Sequence, residues 1–126
     1  REALAEAEIV ILTVPLTDET RGMIDAGALA AMPDGALLIN VARGGVVVTD
    51  ALVAELQSGR LRAALDVTDP EPLPSDHPIW QCPNALITPH AGGDSTAMLP
   101  RMAALIQRQI DHLRNGEAPE NLVLGG

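Results

Sequence analysis

Four short apolar runs, separated by segments of a different periodicity, constrain the fold of this chain more than any other feature. The runs cover residues 8–14, 36–42, 62–67 and 85–88. In the second run, Ala36 to Ile39 are apolar without alternation, which indicates a fully buried strand of a parallel sheet. We therefore expect four strands, with the chain turning sharply after each of them.

The segments between the first three runs carry helical patterns. Asp25 is a plausible N-cap of a helix through Met32, and Thr49 can cap a second helix that has Gly59 in the C′ position after its end. A longer helix is predicted roughly over residues 95–115, ending at Gly116, with apolar side chains at helical spacing: Leu99, Met102, Ala103, Ile106, Ile110 and Leu113. The alternation of strands and helices predicts right-handed crossovers and an α/β fold with a parallel sheet.

The composition argues against several classes of partner and site. The 126 residues carry 17 acidic and 8 basic side chains, a formal net charge of −9, so nucleic acid and anionic membrane surfaces would be repelled. The single Cys82 cannot form an intrachain disulfide, and no apolar run approaches the length of a membrane span. We therefore expect a cytoplasmic protein that does not bind a membrane. No spacing of Cys and His suggests a metal site.

Polar and conformationally special residues follow each of the four predicted strands. Pro15 and Thr17 follow the first strand, Arg43 follows the second within the stretch "NVARGG", Asp66 and Glu71 follow the third, and His90 follows the fourth. In a parallel sheet the carboxyl ends of the strands lie at one edge, where ligands of α/β proteins bind. The sequence therefore predicts a binding crevice at this edge.

An arginine, a carboxylate and a histidine in one crevice suit a substrate that has a carboxylate next to a carbonyl. The guanidinium of Arg43 can hold the carboxylate bidentately, and the imidazole of His90 can carry a proton near neutral pH. Either Glu71 or Asp69, two residues earlier, could face the histidine. The structural alternative for Arg43 is a loop residue paired with a surface acid. His77 and His112 are interpreted as a loop contact and a helix-surface residue.

Several stretches together resemble the D-isomer-specific 2-hydroxyacid dehydrogenases. They are "LTVPLTDETRGMID", "LLINVARGGVV", "LDVTDPEPLP", "HPIW" and "LITPHAGG", and they occur in family order over nearly the whole chain. The combination of "DVTDPEPLP" with a following "HP" is most similar to the glyoxylate/hydroxypyruvate reductase branch. The resemblance implies a Rossmann-type nucleotide-binding domain, NAD or NADP as cofactor, a small 2-oxo or 2-hydroxy acid as substrate, and a homodimer in the full-length protein.

The resemblance also implies roles for individual residues. Arg43, Glu71 and His90 match the catalytic triad of the family, and Arg43 and His90 would also contact substrate and cofactor. Asp66 would accept a hydrogen bond from the nicotinamide carboxamide. The remaining residues implied at the cofactor are those whose backbone or side chain would line the nicotinamide end: Pro15, Thr17, Val41, Ala42, Gly92 and Gly93.

One element of the family pattern does not occur in this chain. The glycines show no G-x-G-x-x-G spacing, which forms the pyrophosphate turn of dinucleotide-binding domains. We therefore expect the second half only of a doubly wound parallel sheet in residues 1–94, followed in residues 95–126 by a long C-terminal helix and tail that return toward a substrate domain. On this interpretation the isolated chain is inactive. The alternative is a non-catalytic module that senses dinucleotide or serves in assembly.

Overall fold

The fold is described from a computed structural model that covers residues 2–121. Strands and helices alternate along the first part of the chain, as the apolar pattern predicts. Their bounds, in chain order, are α1 Glu2–Ala5, β1 Ile9–Leu12, α2 Ala26–Ala31, β2 Leu37–Asn40, α3 Thr49–Gln57, β3 Arg62–Leu65, β4 Ala85–Ile87 and α4 Met98–Asn115. Two short 3₁₀ turns cover Gly44–Val46 and Pro78–Gln81.

The four strands form one parallel sheet in the order β1-β2-β3-β4. Leu12 pairs with Asn40, Asn40 with Leu65, and Leu65 with Ile87, so the last residues of all four strands form a single row. The strand order advances in one direction only, as in one wing of a doubly wound sheet. This topology, together with the long helix α4, confirms the predicted α/β Rossmann-type fold.

The core lies between one face of the sheet and the helices α2 and α3. Leu38 on the sheet and Leu29 and Leu52 on the helices are almost fully buried in the same cluster. The opposite face is different: Ile11 is 58% exposed and Leu86 is 64% exposed. The strand β2, predicted to be fully buried, alternates instead: Leu38 is buried, whereas Leu37 and Ile39 on the opposite face are only partly buried. An apolar run indicates that a strand avoids water but does not say what covers each face.

Helix α2 begins as predicted, since the Asp25 carboxylate accepts a hydrogen bond from the backbone N–H of Ala28 at 2.7 Å. Helix α3 does not. Its N-cap is Val48, without a side-chain hydrogen bond, and Thr49 is the first helical residue. The Thr49 hydroxyl instead donates to the carbonyl of Asp69 at 2.7 Å, so a contact with a distant loop replaces the predicted cap.

The guanidinium of Arg60 joins α2 to α3. It donates to the carbonyls of Leu29 and Met32 at 2.7 Å each and to the Glu55 carboxylate at 2.6 Å. The two carbonyls belong to the end of α2, where the usual helical partner four residues later is missing. The carbonyl of Leu29 also accepts from the backbone N–H of Met32 at 3.1 Å. Hydrogen bonding to Glu55 raises the pKa of Arg60, so the charge at this joint is permanent.

The chain separates into two compact units between Gly92 and Gly93. The second unit contains α4, which begins at Met98 and ends at Asn115, followed by Gly116 as a C-cap with a positive φ of 71°. Pro100 lies in the first turn of α4, where backbone N–H groups have no intrahelical partner and a proline is tolerated. The assignment of residues 95–126 to a return toward a substrate domain stays a prediction.

Candidate active site

The site is built where the chain leaves the row of paired strand ends. Asn40, the last residue of β2, has only 1% of its surface exposed. Its side-chain amide donates to the carbonyl of Arg43 at 3.0 Å, and its side-chain carbonyl accepts from the backbone N–H of Ala42 at 3.0 Å. One buried side chain thus fixes the turn that presents Arg43. Asn40 had no predicted role, although a polar residue at the end of an apolar strand was the available signal.

Gly44 explains the first glycine of "NVARGG". A Cβ atom built there would lie 1.9 Å from the carbonyl oxygen of Thr68 and 2.6 Å from the backbone nitrogen of Asp69. Any other residue would therefore push the two backbones apart. The turn after β2 and the loop after β3 are in direct contact because residue 44 has no side chain.

Arg43 lies on an exposed cleft beside the end of β1. Its Nη1 donates to the carbonyl of Ala42 at 2.6 Å, so the guanidinium folds back over its own turn. The cleft has a volume of about 540 Å³ and is lined by Thr13, Val14, Pro15, Leu16, Val41, Ala42 and Arg43. Three predicted cofactor contacts, Pro15, Val41 and Ala42, are thus brought together with the predicted substrate-binding arginine.

His90 and Glu71 form a close pair beside the ends of β3 and β4. The Nδ1 atom of His90 lies 2.6 Å from Oε1 of Glu71, and the two side chains are 45% and 40% exposed. Of the two carboxylates considered from the sequence, Glu71 is therefore the one that contacts the histidine. The contact occupies Nδ1, so a proton exchanged with a ligand would move at Nε2. His90 has a φ of 56°, a left-handed conformation that is uncommon outside glycine.

A second cleft, of about 430 Å³, surrounds this pair. It is lined by Asp66, Thr68, Glu71, Pro72, Leu73, Trp80, Ile87, Thr88, Pro89 and His90. Most of its apolar wall comes from the segments that flank the acid–histidine pair. Predicted site residues thus fall into two groups at one sheet edge, with Arg43 lining the first cleft and Glu71, Asp66 and His90 lining the second.

Asp66 is the most heavily hydrogen-bonded carboxylate of the site. Its Oδ1 accepts from the hydroxyl of Thr88 at 2.5 Å and from the backbone N–H of Ala91 at 2.9 Å, and its Oδ2 accepts from the N–H of Gly92 at 2.7 Å. These bonds, that from Thr88 foremost, lower the pKa of Asp66. Asp66 therefore ties the strand end of β3 to the segment that follows His90. Thr88 was missed by the sequence analysis, in which it was only the last residue of a strand.

The glycines and Thr17 differ in what they contribute. A Cβ at Gly92 would lie 2.8 Å from Oδ2 of Asp66, so a glycine here allows the N–H to reach the carboxylate. Gly93 belongs to the second unit, and a Cβ there would meet no atom within 4 Å. Thr17 lines neither cleft: its backbone N–H donates to the Thr20 hydroxyl at 2.8 Å, which stabilises the turn after Pro15.

The described part of the chain contains neither a cluster of metal ligands nor a membrane-spanning helix. Among residues 2–121, no group of three or more His, Cys, Asp or Glu side chains could hold a metal ion. None of the helices in this described part combines the length and apolar character needed to cross a bilayer.

The network around Asp66 predicts a specific acid sensitivity. Because the folded-state pKa of Asp66 lies below its unfolded value near 3.8, its contribution to stability is present above that pH and is lost as the pH falls through the folded pKa. Asp66→Asn should therefore be less stable than the wild type at pH 7, and the difference should shrink at about pH 3, in urea unfolding at both pH values. Asp76→Asn, at an exposed loop position, is the control for loss of one charge. A deficit that stayed constant down to pH 3 would contradict this role of Asp66.

Comparisons with known proteins agree with this geometry. Residues 1–92 match the family described as D-isomer specific 2-hydroxyacid dehydrogenase, NAD binding domain. The crystal structure of a D-isomer specific 2-hydroxyacid dehydrogenase from Xanthobacter autotrophicus Py2, in complex with NADPH and MES, superposes with a TM-score of 0.84 at 46% identity, covering 96% of this chain and 50% of that one. D-lactate dehydrogenase with NAD⁺ from Lactobacillus jensenii gives a TM-score of 0.88 at 31% identity, covering 98% of this chain and 42% of that one.

The chain is also similar to a curated relative, an uncharacterized protein in the proB 3' region of Corynebacterium melassecola. It is 43% identical over 114 residues, which are 90% of this chain and 38% of that protein. The chain thus spans between about two fifths and one half of the length of these relatives. With the parallel sheet and the family match over residues 1–92, the chain belongs to the D-isomer specific 2-hydroxyacid dehydrogenase family, in its NAD-binding domain.

Proposed function

We propose that this chain supplies the catalytic half of the dinucleotide-binding domain of an NAD- or NADP-dependent oxidoreductase. The reaction is hydride transfer between the nicotinamide and a small 2-oxo acid or D-2-hydroxy acid, of the glyoxylate or hydroxypyruvate type. The observation that carries the proposal is the 2.6 Å contact between His90 and Glu71 at the carboxyl edge of the sheet. A carboxylate that holds one imidazole nitrogen leaves the other to serve as an acid or base.

The residues at the sheet edge fit a nicotinamide group. Val41 is 47% exposed although it is apolar, and with Pro15 it lines the cleft beside Arg43, so a flat ring could cover both side chains. The Asp66 carboxylate offers acceptor oxygens near the end of the neighbouring strand. The dinucleotide, when bound, supplies the hydride chemistry. Its pyrophosphate would need donors other than a G-x-G-x-x-G turn of this chain, because the sequence contains none.

The side chains of this chain would position the substrate and move one proton. Arg43 would hold the substrate carboxylate with its planar guanidinium. In the reductive direction, protonated His90 would donate from Nε2 to the carbonyl oxygen, and Glu71 would stabilise the imidazolium from the Nδ1 side. A positioned general acid of this kind contributes about 10²–10⁴ in rate.

The proposal extends to the setting of the enzyme. The excess of 17 acidic over 8 basic residues favours a small-molecule substrate over nucleic acid or an anionic membrane as partner. On the composition and the resemblance, we also propose a cytoplasmic location and a homodimer for the full-length protein.

The roles of His90 and Glu71 predict different kinetic effects in the full-length protein that carries this chain. His90→Ala should lower kcat by about 10²-fold or more and leave dinucleotide affinity nearly unchanged, because the imidazole transfers a proton and does not act on the pyrophosphate. Glu71→Gln should move the midpoint of the pH–rate profile to lower pH, because the imidazolium loses its counter-charge. Steady-state kinetics with NADH or NADPH and a small 2-oxo acid measure both. His112→Ala, on helix α4, is the control; an unshifted profile in Glu71→Gln would remove the proposed role of Glu71.

The role of Arg43 predicts that charge alone is insufficient. Arg43→Lys keeps the positive charge but loses the planar fork, so we expect a higher KM for the 2-oxo acid together with a lower kcat. Arg62→Lys is the matched control, because Arg62 is the first residue of β3 and lies at the amino end of the strand, opposite the carboxyl ends that carry the site. Near wild-type kinetics in Arg43→Lys would mean that the substrate carboxylate is held by another residue.

A further inference from the structure

The segment that carries Glu71 is unusual in how its backbone is held. Pro70, Pro72 and Pro74 place three prolines within five residues, and a proline has no backbone N–H to donate. Such a segment can be anchored mainly through its carbonyl groups. The position of the Glu71 carboxylate therefore depends on donors that come from other parts of the chain.

Three side chains supply these donors. The hydroxyl of Thr49 donates to the carbonyl of Asp69 at 2.7 Å, the hydroxyl of Thr68 to that of Pro70 at 2.9 Å, and the indole N–H of Trp80 to that of Pro74 at 2.8 Å. Thr68 belongs to the same loop, so its hydrogen bond does not tie the loop to another element. Trp80 holds the far end, after Glu71. Thr49 is therefore the side chain that ties the near end of the segment to a helix.

The helix that carries Thr49 is a firm support. Thr49 is the first residue of α3, and three residues of this helix, Leu52, Val53 and Leu56, are buried in the core. Five residues before Thr49, the backbone of Gly44 lies against Thr68 and Asp69. The loop before Glu71 is thus contacted at two points, by the backbone of Gly44 and by the hydroxyl of Thr49. Both residues follow Arg43 closely in sequence.

We propose that Thr49 is a positioning residue for Glu71, acting through the carbonyl of Asp69. Its hydroxyl does not cap α3, which begins without a side-chain cap, and its donor is used on the loop instead. By fixing Asp69, it holds the Glu71 carboxylate where it meets Nδ1 of His90. This inference rests on the proposed roles of Glu71 and His90, and it joins the arginine turn and the glutamate loop into one unit.

The test uses Thr49→Val, which removes the hydroxyl and keeps the branched shape, and Thr49→Ser, which keeps the hydroxyl. Ser58→Ala is the matched control, because Ser58 also donates to a backbone carbonyl, that of Glu55 at 2.9 Å, at the other end of α3. Glu71→Gln is the benchmark. In the full-length protein with ¹³C-labelled histidine, the Cε1–H signal of His90, assigned by its loss in His90→Ala, is titrated by NMR, and kcat and KM are measured in parallel.

In Thr49→Val we expect the midpoint of the His90 titration to move in the same direction as in Glu71→Gln, but by less. We expect kcat to fall about fivefold, the factor that the net strength of one ordinary hydrogen bond corresponds to, with KM for the 2-oxo acid unchanged. Thr49→Ser should restore both, and Ser58→Ala should change neither. If Thr49→Val does not fold, Thr49→Ala is measured in its place.

The inference would be overturned if Thr49→Val had the same His90 titration midpoint and the same kcat as the wild type. It would also be overturned if Thr49→Ser behaved like Thr49→Val, or if Ser58→Ala reproduced the effect of Thr49→Val. If Glu71→Gln moves the His90 titration and Thr49→Val does not, only the role of Thr49 fails. If Glu71→Gln itself leaves the titration unchanged, the proposed pairing of Glu71 with His90 fails as well.

Discussion

The parallel register of the sheet is the constraint on which the rest of this structure depends. Leu12, Asn40, Leu65 and Ile87 pair in one row, so all four strands end together and the chain turns four times at the same edge. Residues that are up to 75 positions apart in sequence, from Pro15 to His90, are thereby brought to the carboxyl edge of the sheet. A shift of a single residue in one strand would turn its side chains to the other face and displace the loop that follows.

Side-chain hydrogen bonds join the loops at this edge, in addition to backbone bonds such as that from the His90 N–H to the carbonyl of Thr88. Asn40 closes the arginine turn, Asp66 gathers the Thr88 hydroxyl and two N–H groups beside His90, and the Thr49 hydroxyl holds the carbonyl of Asp69. Gly44 allows two of these loops to touch. The chemistry that we propose for His90 therefore rests on a set of polar contacts that no single strand or helix provides.

Much of the fold could be predicted from the sequence, because apolar periodicity and turn residues are local signals. The order of strands and helices along the chain follows from the spacing of the apolar runs. The start of α2 follows from Asp25, and the ends of α3 and α4 follow from Gly59 and Gly116. The uncovered face of β1 and β4 could not be predicted, because apolar side chains do not name the surface that packs on them. The predicted N-cap of α3 was wrong for a related reason. A threonine at the start of a helix can cap it or can donate its hydrogen bond elsewhere, and only the tertiary structure decides between the two.

The placement of Arg43, Glu71 and His90 at one sheet edge could be predicted, because each follows an apolar run and carries distinctive chemistry. It was not predictable for Asn40, Thr49 and Thr88, because the atom that each side chain bonds is decided only by the tertiary structure.

The proposed hydride transfer is tested most directly by the reduction of hydroxypyruvate or glyoxylate by NADH or NADPH deuterated at the transferable position of the nicotinamide, in the full-length protein. We expect a product with deuterium at C2, and from hydroxypyruvate the D-isomer. A product without deuterium at C2, an L-isomer, or no reduction of any small 2-oxo acid would contradict it.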